Sequence, residues 1–191
     1  MSSFTLDKIT YSADLAVSAD EMKRHLIVKN LTTDLSLDLT DKIKEAIDRV
    51  EGMTRRSLRS ASFRLVLDEW PDDCIIPLDR YPLISVSSVK YRRDTDGAWT
   101  TMTLNTDYRV DKYSKPARIL MINTPSLYTD ELSKVEIIFA SGHASNTLVP
   151  PKARQAIKLL VGTEFEERQD QVAKGMTKAE KLCRSIAIAR F

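Results

Sequence analysis

The chain has 191 residues, of which 42% are hydrophobic and 29% charged, and its formal net charge is +2. That length fits one domain, or one domain with an insertion, and the balance argues against a disordered or membrane-embedded chain. So small a net charge does not by itself demand a nucleic-acid partner.

No stretch approaches the roughly 18 apolar residues of a membrane span. Met1-Ser2-Ser3-Phe4-Thr5 lacks a basic region followed by an apolar run, which points to the cytoplasm. Cys74 and Cys183 are far apart and lack metal-type spacing, so they read as free thiols in a reducing compartment.

In chain order, residues 1–17 read as an irregular or extended lead-in. Ser18-Ala19-Asp20-Glu21 has the spacing of a capping box, so a short helix should run to about Val28, with Met22, His25 and Leu26 on one face. A second helix should begin between Thr33 and Thr40. Leu39, Ile43, Ala46, Ile47 and Val50 recur at helical offsets, and Arg55 and Arg56 would sit in its last turns.

From Ser62 to Gly142 the period falls to two. Phe63, Leu65 and Leu67 alternate with Arg64, Val66 and Asp68. Val89 and Tyr91 share a strand, Trp99 lies on the next, and Asp96-Gly97 between them is a hairpin turn signal. Tyr108–Val110, Arg118–Ile122 and Val135–Phe139 complete a set of short strands, which predicts an antiparallel sheet, sandwich or small barrel.

Pro150 and Pro151 suit a first helical turn. The helix that follows has Ala153, Ala156, Ile157, Leu160 and Val161 as its buried stripe, and Glu164 with Arg168 as a surface pair. The tail from Gln171 carries Lys174, Lys178, Lys181, Arg184 and Arg190 against Glu180 alone. Leu182, Ile186 and Phe191 are large and apolar, at positions a short helix could share, so the tail either frays or docks. The expected fold is α+β: a small helical bundle over 18–61 and 149–170, an antiparallel β domain inserted over 62–148, and an extended C-terminal tail over 171–191.

The search for chemistry is nearly empty. His143 follows Ser141 and Gly142, but adjacent Ser and His cannot form a nucleophile–base pair, and no Gly-x-Ser-x-Gly elbow exists. Asp68, Glu69, Asp72 and Asp73 cluster without the spacing of a calcium loop, and a solvated turn is the simpler reading. Five widely spaced glycines exclude a phosphate-binding loop. The basic clusters Arg55/Arg56/Arg59/Arg64 and Lys90/Arg92/Arg93 read better as helix-end and hairpin-edge charges than as determinants of nucleic-acid affinity. Trp70 and Trp99 suggest packing before a sugar-binding platform. No enzyme, metal or cofactor is expected. The rivals are a β-domain binding module for sugar or host surface and an enzyme dependent on metal at the acidic cluster.

A series of short motifs nevertheless has a distinctive order. Val17-Ser18 opens a helix with His25-Leu26, and Ile47 and Arg55 follow in the next. Then come Asp68-Glu69-Trp70-Pro71, Ile76-Pro77-Leu78, and Tyr81-Pro82-Leu83-Ile84-Ser85-Val86-Ser87-Ser88-Val89-Lys90-Tyr91. Asp107-Tyr108-Arg109-Val110-Asp111, Pro116-Ala117-Arg118 and Val135–Gly142 continue it. Val149-Pro150, Ala156–Leu160 and Glu164–Arg168 close it.

This series resembles the head-to-tail connector (adaptor) proteins of tailed bacteriophages, in the branch with a β domain inside a helical bundle; related proteins occur in phage-like gene transfer particles. The resemblance covers roughly residues 17–170. It implies a virion protein of the capsid vertex and neck, present in the host cytoplasm during assembly. It further implies a ring, usually of twelve copies, under the portal protein, which extends the DNA channel and meets the next neck, stopper or tail protein. The free chain could be a monomer, and DNA would pass without sequence-specific binding. The family brings no catalytic residues. Related adaptors dock their C-terminal segment on the portal, which makes Lys178, Lys181, Leu182, Arg184, Ile186, Arg190 and Phe191 the candidate portal-docking residues, on the chemistry of this tail rather than on any motif match.

Overall fold

The computed structural model describes residues 4–28, 33–166 and 177–188. These residues form two compact units, one helical and one of β-sheet.

The helical unit comprises Ser12–Arg59 and His143–Ile188. Its helices are α1 (Ala19–His25), α2 (Thr33–Thr54), α3 (Pro151–Glu166) and α4 (Lys178–Ile186). The stripe read from α2 is the core: Leu39, Ile43, Ala46, Ile47 and Val50 are all buried, facing Ala153, Ala156, Ile157 and Val161 of α3. Each large aliphatic buried here contributes about 1.5–3 kcal/mol of transfer free energy, before the entropy of ordering it is subtracted.

Three local expectations change. The Ser18 hydroxyl caps α1 by accepting the Glu21 amide at 3.2 Å. Glu21 does not reach back to Ser18, because its carboxylate binds Arg154 and Lys158 on α3. His25 is exposed, while Met22 is fully buried. Finally, α2 ends at Thr54, so Arg55 lies beyond it in a left-handed conformation, with φ 55°. The buried Glu51 carboxylate then accepts the Leu58 amide at 2.7 Å, which gives this turn a partner the backbone lacks.

The β unit comprises Ser60–Gly142 with the N-terminal strand β1 (Phe4–Tyr11). The segment expected to be a lead-in is thus extended and paired with β2 (Ala61–Leu67). A register shift between Lys8 and Thr10 breaks its alternation, which is why it does not stand out in sequence. The remaining strands are β3 (Ile75–Leu78), β4 (Leu83–Arg92), β5 (Trp99–Thr101), β6 (Tyr108–Asp111), β7 (Ala117–Met121) and β8 (Val135–Ser141). They form a five-stranded sheet, β1-β2-β8-β4-β5, and a three-stranded sheet, β3-β7-β6. Every strand pairing within them is antiparallel.

The period-two reading of β2 and β8 holds. Phe63, Leu65 and Leu67 face inward opposite Phe139, Ile137 and Val135, and the Phe63 and Phe139 rings stack at 5.5 Å. Asp96-Gly97 turns the β4–β5 hairpin with Gly97 at φ 65°. Pro77 lies on β3, an edge strand, where its missing amide costs no ladder bond.

The tail is helical at Lys178–Ile186, which corrects the expectation that it is extended. Lys174, Arg190 and Phe191 of the tail, and the Arg168 partner of Glu164, lie outside the described residues.

Candidate partner-binding surface

The candidate docking segment is built from its cap upward. Thr177 and Glu180 form a full capping box: the Thr177 hydroxyl accepts the Glu180 amide at 3.2 Å, and Glu180 accepts the Thr177 amide at 2.8 Å. This satisfies two amides that would otherwise lack partners at the start of α4. Ala179 and Cys183, four residues apart, are buried in the bundle core, with Leu182 and Ile186 packed beside them. Burial, and then the neighbouring Glu180 charge, raise the Cys183 thiol above its usual pKa, so little reactive thiolate forms.

The helix is also tied at its far end. Arg56 Nε donates to the Ile186 carbonyl at 2.8 Å, placing a cation at the negative end of α4. In the other direction, the Ile188 amide donates to the Thr54 carbonyl at the end of α2 at 3.1 Å. Each helix end therefore receives a donor from the segment that follows the other.

The seven candidate residues separate accordingly. Lys178, Lys181 and Arg184 are exposed and recur at three-residue spacing on one side of α4. Leu182 and Ile186 face the chain's own core.

The other candidates have internal work. Arg64 pairs with Asp7 at 3.2 Å, Arg59 with Asp48 at 3.2 Å, Arg92 with Glu131 at 2.9 Å and Arg93 with Asp96 at 2.7 Å. Asp68 accepts the Ser133 amide and Asp73 the Ile75 amide. No group of three or more His, Cys, Asp or Glu side chains able to hold a metal occurs among the described residues. Trp70 packs against the β core, with its indole N–H donating to the Pro125 carbonyl at 2.9 Å. Trp99 is exposed, with the Arg92 guanidinium 4.7 Å from its ring centre. A sugar platform formed by both indoles would need Trp70 released from that packing.

Ser141 Oγ lies 2.8 Å from the carbonyls of both Arg80 and Pro82, so its hydroxyl is committed to the backbone. Burial, then the Arg56 charge, lower the His143 pKa. Neither residue is poised as a nucleophile or its base.

Two features of the β unit escaped the sequence reading. The first is the loop after β6. Asp111 accepts the Ser114 hydroxyl at 2.6 Å, the Tyr113 amide at 3.0 Å, the Ser114 amide at 3.3 Å and Arg118 Nε at 3.0 Å. The Ser114 hydroxyl, followed by the Tyr113 amide, holds the carboxyl down at a pKa of about 2. This braced turn carries Tyr113 at 95% exposure. The Asp-Lys-Tyr-Ser order is an Asx-turn signal that could have been read. The second is a concavity of about 420 Å3 beside β5, with Tyr91, Met102 and Pro125 as apolar walls and Thr101, Asp107 and Asn123 as polar ones.

No protein-family model matches this chain. No curated protein matches it. Solved structures do match over nearly its whole length. It is similar to a chain in the neck of an empty gene transfer agent particle, computed with C6 symmetry, at 26% identity and a TM-score of 0.81, covering 98% of this chain and 97% of that one. It is similar to a chain in the virion of a native gene transfer agent particle at 25% identity and a TM-score of 0.79, with the same coverage. A chain in the neck of the native particle, computed with C12 symmetry, is 25% identical with a TM-score of 0.77, again over 98% of this chain and 97% of that chain. The chain thus shares, from end to end, the fold of components of the gene transfer agent neck and virion.

Proposed function

We propose that this chain is a structural component of the neck of a tailed phage or phage-like particle, and within it the head-to-tail adaptor. It forms a ring under the portal, usually of twelve copies, extends the DNA channel and joins capsid to the next neck or tail protein. The observation that carries this reading is the end-to-end similarity to chains of the gene transfer agent neck. The C12 symmetry of one such neck supports the ring. The internal pairing of Arg59, Arg64, Arg92 and Arg93 suits a channel past which DNA slides without being held.

In this proposal the C-terminal segment docks on the portal through Lys178, Lys181 and Arg184, with Arg190 and Phe191 beyond them. Leu182 and Ile186 contribute by holding α4 on its own bundle. Twelve weak contacts made together give strong avidity, so each needs little affinity alone.

The test is to mix the purified chain with its own particle's portal and image the product by electron microscopy. Rings seated under the portal are expected. A variant combining Lys178→Glu, Lys181→Glu and Arg184→Glu should fold normally and lose this binding. This set is a cleaner probe than deleting residues 176–191, which also strips Ala179 and Cys183 from the core. Unimpaired binding by the charge-reversed chain would remove the tail assignment, and no portal binding at any salt concentration would remove the adaptor role.

A further inference from the structure

We propose that Tyr113 is a knob that seats in the concavity beside β5 of a second copy of this chain, and that this is a head-to-tail contact of the ring. The inference rests on the ring reading above.

The knob is preorganised. Asp111 fixes the turn through four hydrogen bonds, Lys112 Nζ donates to the Ile84 carbonyl at 3.0 Å, and Lys115 Nζ lies 5.5 Å from the centre of the Tyr81 ring. A loop already held in shape loses little entropy on binding. At 95% exposure the tyrosine makes almost no contact with its own chain. Large aromatics on rigid supports are the residue type that dominates binding energy at interfaces.

The concavity matches it in chemistry. Its about 420 Å3 falls in the usual range of binding clefts, about 300–1,000 Å3, and leaves room for an aromatic ring. Tyr91, Met102 and Pro125 offer apolar contact to the ring face. Asp107 accepts the Thr103 amide at 2.7 Å and the Asn123 amide group at 2.9 Å. A carboxylate has about four acceptor positions, so Asp107 retains capacity for a phenol O–H. The Thr103 amide, and then Asn123, hold the Asp107 carboxyl below its usual pKa, so it stays anionic at neutral pH.

Charge and apolar contact favour a second copy as the occupant. The knob is flanked by Lys112 and Lys115, and the concavity carries the Asp107 charge. Exposed Ile84 lies beside the knob and exposed Ile122 beside the concavity, which adds apolar contact at both. A closed ring needs two different, mutually complementary patches on every copy, as this pair supplies.

The test uses the full chain carrying Tyr113→p-benzoylphenylalanine, irradiated at increasing concentration, alone and with portal. Links are mapped by mass spectrometry, and rings are scored by electron microscopy in the same samples. Intermolecular links to residues 100–102, 107 or 123–125 are expected, and adding Thr101→Arg should cut their yield at least about tenfold. Rings whose links map elsewhere, or withstand Thr101→Arg, would overturn the contact and leave the ring reading standing. Mapped links in dimers without rings under the portal would support the contact and count against the ring. Absence of any intermolecular link would overturn the contact, whether or not rings form.

Discussion

Replacing Glu21 with alanine should unfold the helical unit early and leave the β unit unaffected. The Glu21 carboxylate accepts Arg154 Nη2 at 2.7 Å on each oxygen and Lys158 Nζ at 2.7 Å on Oε1. Its side chain is 17% exposed, and those of Arg154 and Lys158 are 28% and 21% exposed. Fully exposed pairs are worth about 0–1 kcal/mol, whereas removing one partner of a buried pair costs about 3–5 kcal/mol. This site lies between those limits, so Glu21→Ala should cost about 2–3 kcal/mol. For a helical unit of roughly 90 residues melting by itself, that lowers its Tm by about 8–24 °C. Calorimetry at neutral pH should show the loss in the transition that carries helical circular dichroism. The pH dependence has a definite sign. Burial alone would raise the Glu21 pKa, but hydrogen bonds from Lys158 and Arg154 bring it below the usual value. The contribution is therefore complete above the ordinary carboxylate range, about pH 4–5, and fades as pH falls through the lower folded value. The gap between wild type and variant should be flat from pH 7 to about pH 5 and narrow below. A loss under about 0.5 kcal/mol at neutral pH would refute the argument, because the trio would then behave as a solvated surface pair.

Three further outcomes are expected. Phe139→Ala removes one of two stacked, buried rings and should cost about 3–5 kcal/mol in the β transition, read by denaturant unfolding. The Asp111 carboxyl should titrate near pH 2 when followed by carbon NMR, and an ordinary carboxylate value would show that the turn beneath Tyr113 is not braced as described. Arg56→Ala leaves the Ile186 carbonyl without its donor, so amide exchange at residues 182–186 should accelerate while α2 exchange holds; unchanged exchange in α4 would show that Arg56 does not fasten it.

Much of the fold was legible in the periodicities. A single long stripe such as Leu39–Ile43–Ala46–Ile47–Val50 has one sensible use, and all five residues are buried. The β2 and β8 alternations fix which face is inward, because a one-residue slip would turn Phe63, Leu65, Leu67, Val135, Ile137 and Phe139 outward together. β1 was less legible, since a bulge between Lys8 and Thr10 destroys the alternation that would announce it. Glu21 was misassigned because its spacing from Ser18 suits a capping box equally well. Two cations 133 and 137 positions away, on another helix, outcompete one backbone amide for its charge, and nothing local encodes them.

The C-terminal segment shows where sequence reasoning stops and why. The expectation of an extended tail passed over the capping-box spacing of Thr177 and Glu180, and over the amphipathic pattern of Ala179, Leu182, Cys183 and Ile186 against Lys178, Lys181 and Arg184. An amphipathic helix states that its apolar side needs a cover, but not whose surface supplies it. Here the chain's own bundle supplies the cover. Two tertiary bonds at the end of α2 complete it: Arg56 Nε donates to the Ile186 carbonyl of α4, and the Ile188 amide just past α4 donates to the Thr54 carbonyl. That leaves the basic side outward. A docking role for this segment therefore becomes a question of charge on a prepacked helix rather than of greasy residues searching for a groove. The two cases differ in salt dependence: attachment through Lys178, Lys181 and Arg184 should weaken steeply as ionic strength rises, whereas attachment through Leu182 and Ile186 would require α4 to leave its core and would hold or strengthen in salt.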